Sequence, residues 1–379
     1  MFSRRHLRWI VFVDRRCQHT LRTAHATAGQ CVIVIFLSQG SVAPQPSHPA
    51  IPFDVYGFRF SLSGDPAIDT LAEDLAFFRR EAVDQPMKIV LCRQAPAYQD
   101  VPQRPASVYT PRNVALTENG RTFIDYGGRA LAIYDRAEPS FCVQSLETDM
   151  LYEATYLFLL SRIGEFLDAR HMRRIHAMAL AYCGKAILAI LPMGGGKSTL
   201  AAELLKCPDF DFLSDDSPFI ARDGRVYAFP LRLGLPPGAE SEFPPECRRT
   251  INRMEFGPKV LLNYAYFASR VKPSADPGIV FLGCRSLAPA CRIEPCGTME
   301  SYRSMIANCV IGLGLFQGLE FVVRSNAIEL AAKARVGASR LRNARRLFRR
   351  SLVYRLILGR DRVQNAQAVI DFVRKQLQD

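Results

Sequence analysis

The sequence predicts an α/β protein: a small β-rich α+β domain over residues 51–147, then an α/β domain over 148–379 built around one glycine turn. Three observations carry that expectation. The apolar run Ala186-Ile-Leu-Ala-Ile190 leads into Leu191-Pro-Met-Gly-Gly-Gly-Lys-Ser-Thr199, which in turn opens a helical pattern. Between 51 and 147, short alternating apolar runs are separated by turn residues, the pattern of half-buried strands. A long helical pattern from Thr148 to about Ala169, apolar mostly on one broad face, joins the two parts and is expected to pack on the second.

Composition bounds the rest. The 379 residues are 49% hydrophobic and 22% charged, ordinary for a globular chain with a substantial core. The net charge of +13 belongs to the ends: residues 1–50 carry +5, residues 331–379 carry +10, and the body between them carries −2. A nucleic-acid groove running over the whole protein is therefore not expected. Eleven cysteines without a CxxC pair or zinc spacing suggest reduced thiols in a cytoplasmic protein.

Residues 1–50 contain an arginine-rich start and the apolar run Cys31–Leu37, which is too short to span a bilayer, so no transmembrane segment is expected. The segment reads as an unstructured or spurious extension, separated from patterned sequence by a Ser/Pro-rich break.

In the first domain, Val55–Leu62 alternates as a strand and Asp65-Pro66 starts a helix running to about Arg80. Met87–Cys92 is another strand. Asn113–Thr117 and Arg121–Tyr126 flank Asn119-Gly120, a dipeptide suited to the positive φ angles of a tight hairpin. Arg129–Tyr134 and Phe141–Ser145 continue the meander. No nucleophile–base pair appears here, and a scaffold or docking role is expected.

The second domain holds the chemistry. Glycines 194–196 let backbone N–H groups converge on an anion, the helix beginning at Lys197 adds its dipole, and the lysine adds a full charge. Ser198 stands where a hydroxyl ligates Mg²⁺, and Thr199 completes the motif. Asp215 and Asp216 follow Lys197 by 18 and 19 residues, where the next core strand should end. His176, 21 residues before Lys197, opens the alternating strand Ile175–Tyr182.

The order His, GKS, short helix, Asp-Asp resembles the catalytic domain of bacterial HPr kinase/phosphorylase, whose P-loop architecture is shared with phosphoenolpyruvate carboxykinases. The resemblance covers roughly 170 to 230 and implies a P-loop kinase fold, with ATP and Mg²⁺ as cofactors. It implies that Gly194, Gly195, Gly196, Lys197, Ser198 and Thr199 hold the phosphates. Ser198 and Asp216 would serve the metal, Asp215 would act as general base, and His176 would touch the transferring phosphoryl group or orient Asp215. Leu191 stands where a Walker A motif usually begins with glycine, and Thr199 where HPr kinases commonly carry an acidic residue. The later family signature is matched only loosely, at Arg232-Leu-Gly-Leu235; Arg232, close in sequence to the site, is a candidate phosphate contact but reads first as a surface arginine.

Further on, residues 236–258 are rich in Pro and Glu and read as an exposed loop or lid. Ile279–Gly283 is a buried strand, Met299 to about Leu313 and Ala327–Lys333 are helices, and Leu352–Leu358 and Gln364–Gln376 form a last strand and helix. The arginine run 340–350 reads as a solvated helix face opposite Leu341, Ala344, Leu347 and Phe348. The expected function is an ATP- and Mg-dependent kinase acting on a hydroxyl of a protein, peptide or small molecule. The alternatives are a non-catalytic ATP-binding regulatory module and, behind it, a nucleic-acid-linked NTPase. Homo-oligomerisation is left open.

Overall fold

A computed structural model of the chain describes residues 49–254, 257–311 and 327–377. The extension expected over residues 1–50 lies almost wholly outside them, as does the end of the helix expected to reach Leu313. The described chain is mixed α/β, with two large mixed sheets and one small antiparallel one. Among the described residues no helix is long and apolar enough to cross a membrane.

The first sheet comprises β1 (Ile51–Val55), β2 (Phe58–Gly64), β3 (Met87–Arg93), β4 (Val108–Tyr109), β5 (Val114–Glu118), β6 (Arg121–Asp125), β7 (Ala130–Asp135) and β8 (Ser140–Ser145), in the order β1-β2-β3-β8-β7-β6-β5-β4. The strand expected over Val55–Leu62 is instead a hairpin. Tyr56 and Gly57 take φ of 52° and 93°, and the Asp54 carboxylate accepts the Gly57 N–H, so the chain reverses where alternation alone suggested continuity. Asn119-Gly120 makes the expected turn, with φ of 48° and 82°.

Helix α1 (Ala67–Asp74) crosses from β2 to the parallel strand β3. Asp65 accepts the Ala67 N–H at 2.8 Å, but the helix stops well before Arg80 and gives way to a 3₁₀ turn. Helix α2 (Thr148–Ala169) forms as expected, although its packing differs from the expectation. Leu151, Ala154, Phe158, Leu159 and Ile163 share a core with the first sheet, and Phe158 stacks on Phe141 at 3.8 Å between ring centroids. The reason is that α2 is apolar on more than one side. Phe219, Phe229, Leu231, Ile251 and Leu261 from later in the chain join the same core.

The second sheet contains β9 (Arg173–Arg174), β10 (Met178–Tyr182), β11 (Lys185–Ile190), β12 (Phe210–Ser214), β13 (Phe219–Ile220), β14 (Val226–Tyr227), β18 (Ser274–Arg285), β19 (Arg292–Pro295) and β20 (Leu352–Leu358). At its centre β11, β18 and β20 run parallel. Strand β11 and most of β18 are buried on both faces, which is why they read as continuous apolar runs, whereas β20 is fully buried only at Leu356 and Leu358. Leu180, Ile187 and Phe281 face α3 (Lys197–Leu204) and α6 (Arg362–Leu377). Ala179, Leu188 and Val280 face α4 (Thr298–Met305) and α5 (Ala327–Arg349). Helix α5 packs over β13, β18 and β20 and buries Ala344 and Leu347 fully in the core that also holds Ala179 and Ala181.

The arginines on the other side of α5 are less solvated than expected. Arg340 pairs with Asp168 at 2.6 Å, and Arg346 and Arg350 donate to the backbone carbonyls of Arg222 and Asp223.

Residues 236–258 correct another expectation. After two 3₁₀ turns the chain forms β16 (Arg248–Arg253), which pairs with β17 (Gly257–Leu262); β17 also pairs with β15 (Leu233–Gly234). The Pro/Glu-rich composition belongs only to the first half of this segment, whereas Arg248-Arg-Thr-Ile-Asn-Arg253 buries Ile251 in the first core.

Candidate functional site

The site begins where β11 ends. Gly194 and Gly196 take φ of 72° and 100°, in the left-handed region that glycine occupies without steric cost. Gly195 is required for a different reason, since a Cβ there would lie 2.8 Å from the Pro192 carbonyl oxygen. The turn closes through the Gly195 N–H bond to the Pro192 carbonyl at 2.9 Å, and α3 starts at Lys197. Lys197 Nζ donates to the carbonyls of Leu191 (2.9 Å) and Pro192 (3.3 Å), which holds the ammonium across the mouth of the turn. Burial holds this lysine below its ordinary pKa, opposed by the charges of Asp216 and Asp215.

Strand β12 delivers the two aspartates. The Asp215 carboxylate is 8% exposed and accepts the Ser198 hydroxyl at 2.9 Å and the Gly234 N–H at 3.2 Å, both through Oδ2. Its Oδ1 is buried without a hydrogen-bond partner among the described residues. Burial, reinforced by the neighbouring Asp216 charge, pushes the Asp215 carboxyl up to about 6. Asp216 points the other way, with a side chain 58% exposed and Oδ1 3.0 Å from His176 Nε2. Although burial works against it, the hydrogen bond and charge of His176, with Lys197 and Lys259 nearby, hold Asp216 below the usual carboxylate range. Adjacent carboxylates thus have opposite protonation tendencies.

His176, Gly194, Gly195, Gly196, Lys197, Ser198, Thr199, Asp215 and Asp216 all line one cleft of about 440 Å³. That volume is in the range of small-molecule sites. Every residue singled out from the sequence is therefore brought to the same place.

Of the opposite wall, only Arg232 stood out in the sequence, as a candidate phosphate contact. That wall is made by Tyr156 from α2, Arg232 and Gly234 before and in β15, Arg253 from β16 and Lys259 from β17. Arg232 is not a surface residue. Its side chain is 16% exposed, its guanidinium carbon lies 3.8 Å over the Tyr156 ring, and burial pulls its pKa down to about 10. Lys259 has no direct ion pair among the described residues, and burial also lowers its pKa, against the charges of Asp215 and Asp216. Gly234 makes room for it: a Cβ there would be 2.3 Å from Lys259 Nζ. The Ser198 hydroxyl lies 3.7 Å from that same point, so the two walls meet at Gly234. A basic residue two positions before a Gly and alternating bases on a strand are weak local signals; only the fold brings them together.

For a divalent cation the donors at hand are hard oxygens: the Ser198 hydroxyl and the ionised, cleft-facing Asp216. This suits Mg²⁺, which typically takes one or two protein carboxylates and completes its shell with phosphates and water. Among the described residues no group of three or more His, Cys, Asp or Glu gathers into a self-sufficient metal site, so any such ion would depend on phosphate oxygens.

Neither protein-family models nor curated proteins give a match to this chain.

Proposed function

We propose that the chain is an ATP- and Mg²⁺-dependent phosphotransferase of P-loop type, similar to HPr kinases, acting in the cytoplasm on a hydroxyl of a protein, peptide or small molecule. The observation that carries this reading is the convergence of the glycine turn, Lys197, Ser198 and the aspartate pair on one cleft, with Ser198 donating to Asp215 and His176 pairing with Asp216. In keeping with it, burial pushes the Asp215 carboxyl up to about 6 while His176 holds its neighbour low. Phosphoryl transfer needs that division, because a base must accept a proton while other groups stabilise charge.

In this reading the N–H groups of Gly194, Gly196, Lys197 and Ser198 and the Lys197 ammonium hold the β- and γ-phosphates. Bound at Ser198 and Asp216, Mg²⁺ would neutralise charge on those oxygens. The acceptor hydroxyl gives its proton to Asp215, and its oxygen bonds to the γ-phosphorus. The bond from phosphorus to the β–γ bridging oxygen breaks, and ADP leaves with that electron pair. His176 holds Asp216 in place. Lys259 and Arg232 face the transferring group from the far wall.

The test is incubation with γ-labelled ATP, Mg²⁺ and a broad panel of acceptors, comparing wild type with Lys197→Ala and Asp215→Asn. Label should pass to an acceptor in the wild type and in neither variant. Tight ATP binding with no labelled acceptor and no released phosphate would instead support a non-catalytic nucleotide-binding module.

A further inference from the structure

Arg232 and Arg249 share a counter-ion that comes from the other sheet. Asp74, the last residue of α1, is fully buried. Its Oδ2 accepts the Tyr152 hydroxyl at 2.6 Å and lies 3.5 Å from Arg232 Nη1, while its Oδ1 takes Arg249 Nη2. Arg249 is held a second time by Glu73 at 2.9 Å. Burial raises the Asp74 pKa, and the two guanidiniums oppose that rise.

A carboxylate with no solvent contact, facing two guanidiniums and a phenol, is costly unless all its partners stay in place. Arg249 already has Glu73, so the stability of the helix packing does not need Asp74 to reach a second arginine. Arg232 has no other carboxylate within ion-pair distance among the described residues, and its free edge lines the cleft. Its plane is set by the Tyr156 ring beneath it, while the Asp74 charge stands 3.5 Å behind Nη1, an ion pair without a hydrogen bond. A stacked ring in front of a fixed counter-charge biases a cation toward charge that develops in a transition state.

We propose that Asp74 is a positioning residue of the cleft, by which helix α1 of the first sheet aims the Arg232 guanidinium at the transferring phosphoryl group. The first sheet is then part of the site and not only a scaffold beside it. This inference rests on the phosphotransferase reading above.

The test uses the full-length chain and needs no acceptor: binding of Mg·ADP, alone and with aluminium fluoride as a mimic of the phosphoryl group in transfer. Wild type should bind Mg·ADP and tighten about tenfold or more with fluoride, the scale of one well-placed charged contact. Arg232→Gln and Asp74→Asn should each keep Mg·ADP affinity within about threefold and lose the fluoride gain. The double variant should be no worse than either single one, because both remove one device. Tyr152→Phe removes a hydrogen bond to Asp74 but keeps the ring that Arg232 also overlies, so it should lower melting temperature yet keep the fluoride gain. That variant separates positioning from folding. Retention of the gain in Asp74→Asn, or independent additive losses in the double variant, would overturn the proposal. So would wild-type binding of Mg·ADP without any fluoride gain. Absence of Mg·ADP binding in the wild type would instead overturn the phosphotransferase reading on which the proposal depends.

Discussion

The two walls of the cleft are built on opposite principles. The turn wall, residues 190–199 with 213–216, is nearly continuous in sequence, and its geometry is set by glycine conformations and short hydrogen bonds. The far wall draws Tyr156, Arg232, Arg253 and Lys259 from separate elements, and is backed by Asp74 from a different sheet. The first wall depends on local backbone freedom, the second on tertiary packing. Substitutions on the turn wall should therefore damage function with little loss of stability, while those on the far wall should couple the two.

The largest effect is expected at Asp215. Asp215→Asn should lower turnover about 10²- to 10⁴-fold, the usual contribution of a general base. In the wild type, turnover should rise as pH increases through about 6 and then level, because the base works ionised. The stability sign is opposite. The folded-state pKa is raised, so between about pH 4 and 6 the folded protein binds the extra proton, and stability from this group falls as pH rises. Asp215→Asn should consequently be more stable than wild type at pH 7, by up to about 3 kcal/mol in chemical denaturation. A destabilised variant at pH 7 would break the assignment of strain to this carboxylate.

Lys197→Ala comes next. Loss of a charge-assisted phosphate contact should weaken ATP binding about 100-fold in calorimetry. Melting temperature should barely move, because the side chain donates only to carbonyls of its own loop. A large loss of stability would put the lysine among the structural groups and blur the contrast between the walls.

On the far wall, Lys259→Met should reduce turnover about tenfold and flatten its dependence on salt, as removal of a partly buried cation facing two carboxylates would. The smallest effect belongs to Gly234→Ala. The new Cβ meets the tip of a flexible lysine, so the ammonium can swing aside. Turnover should drop only a few-fold, and stability should change by less than about 1 kcal/mol. If Gly234→Ala proved as impaired as Lys259→Met, the position of the ammonium, and not its mere presence, would be what matters.

The same contrast explains what could be read before the fold was known. The glycine turn, Lys197, Ser198 and the aspartate pair were legible because each follows a strand whose apolar pattern is unmistakable, whereas His176, which precedes its strand, stood out through its spacing to Lys197 and the family resemblance. The parallel core strands were legible for the same reason. The hairpin break at Tyr56-Gly57 was missed because apolar alternation continues through it, although Asp54 and Gly57 mark the turn with an Asx bond and a positive φ. The strand at 248–253 was hidden by the proline-rich stretch before it. Asp74 left no trace at all and Arg232 only a faint one: a carboxylate at a helix end and an arginine two residues after a proline look like surface groups until α1, α2 and β16 close over them.

The parallel trio β11, β18 and β20 sets an order of assembly. Its members begin at residues 185, 274 and 352, so the sheet beneath the glycine turn is completed only by contacts spanning most of the second half of the chain. Loop-closure entropy makes such pairings late and slow. Until β20 arrives, one edge of β18 is an open row of N–H and C=O groups, and α3 lacks α6, its partner in the core. Release of the chain from the ribosome before Leu358 would leave a sticky strand where the finished protein has a closed sheet beneath its glycine turn, and chaperone demand should fall sharply once the last strand and helix have been made.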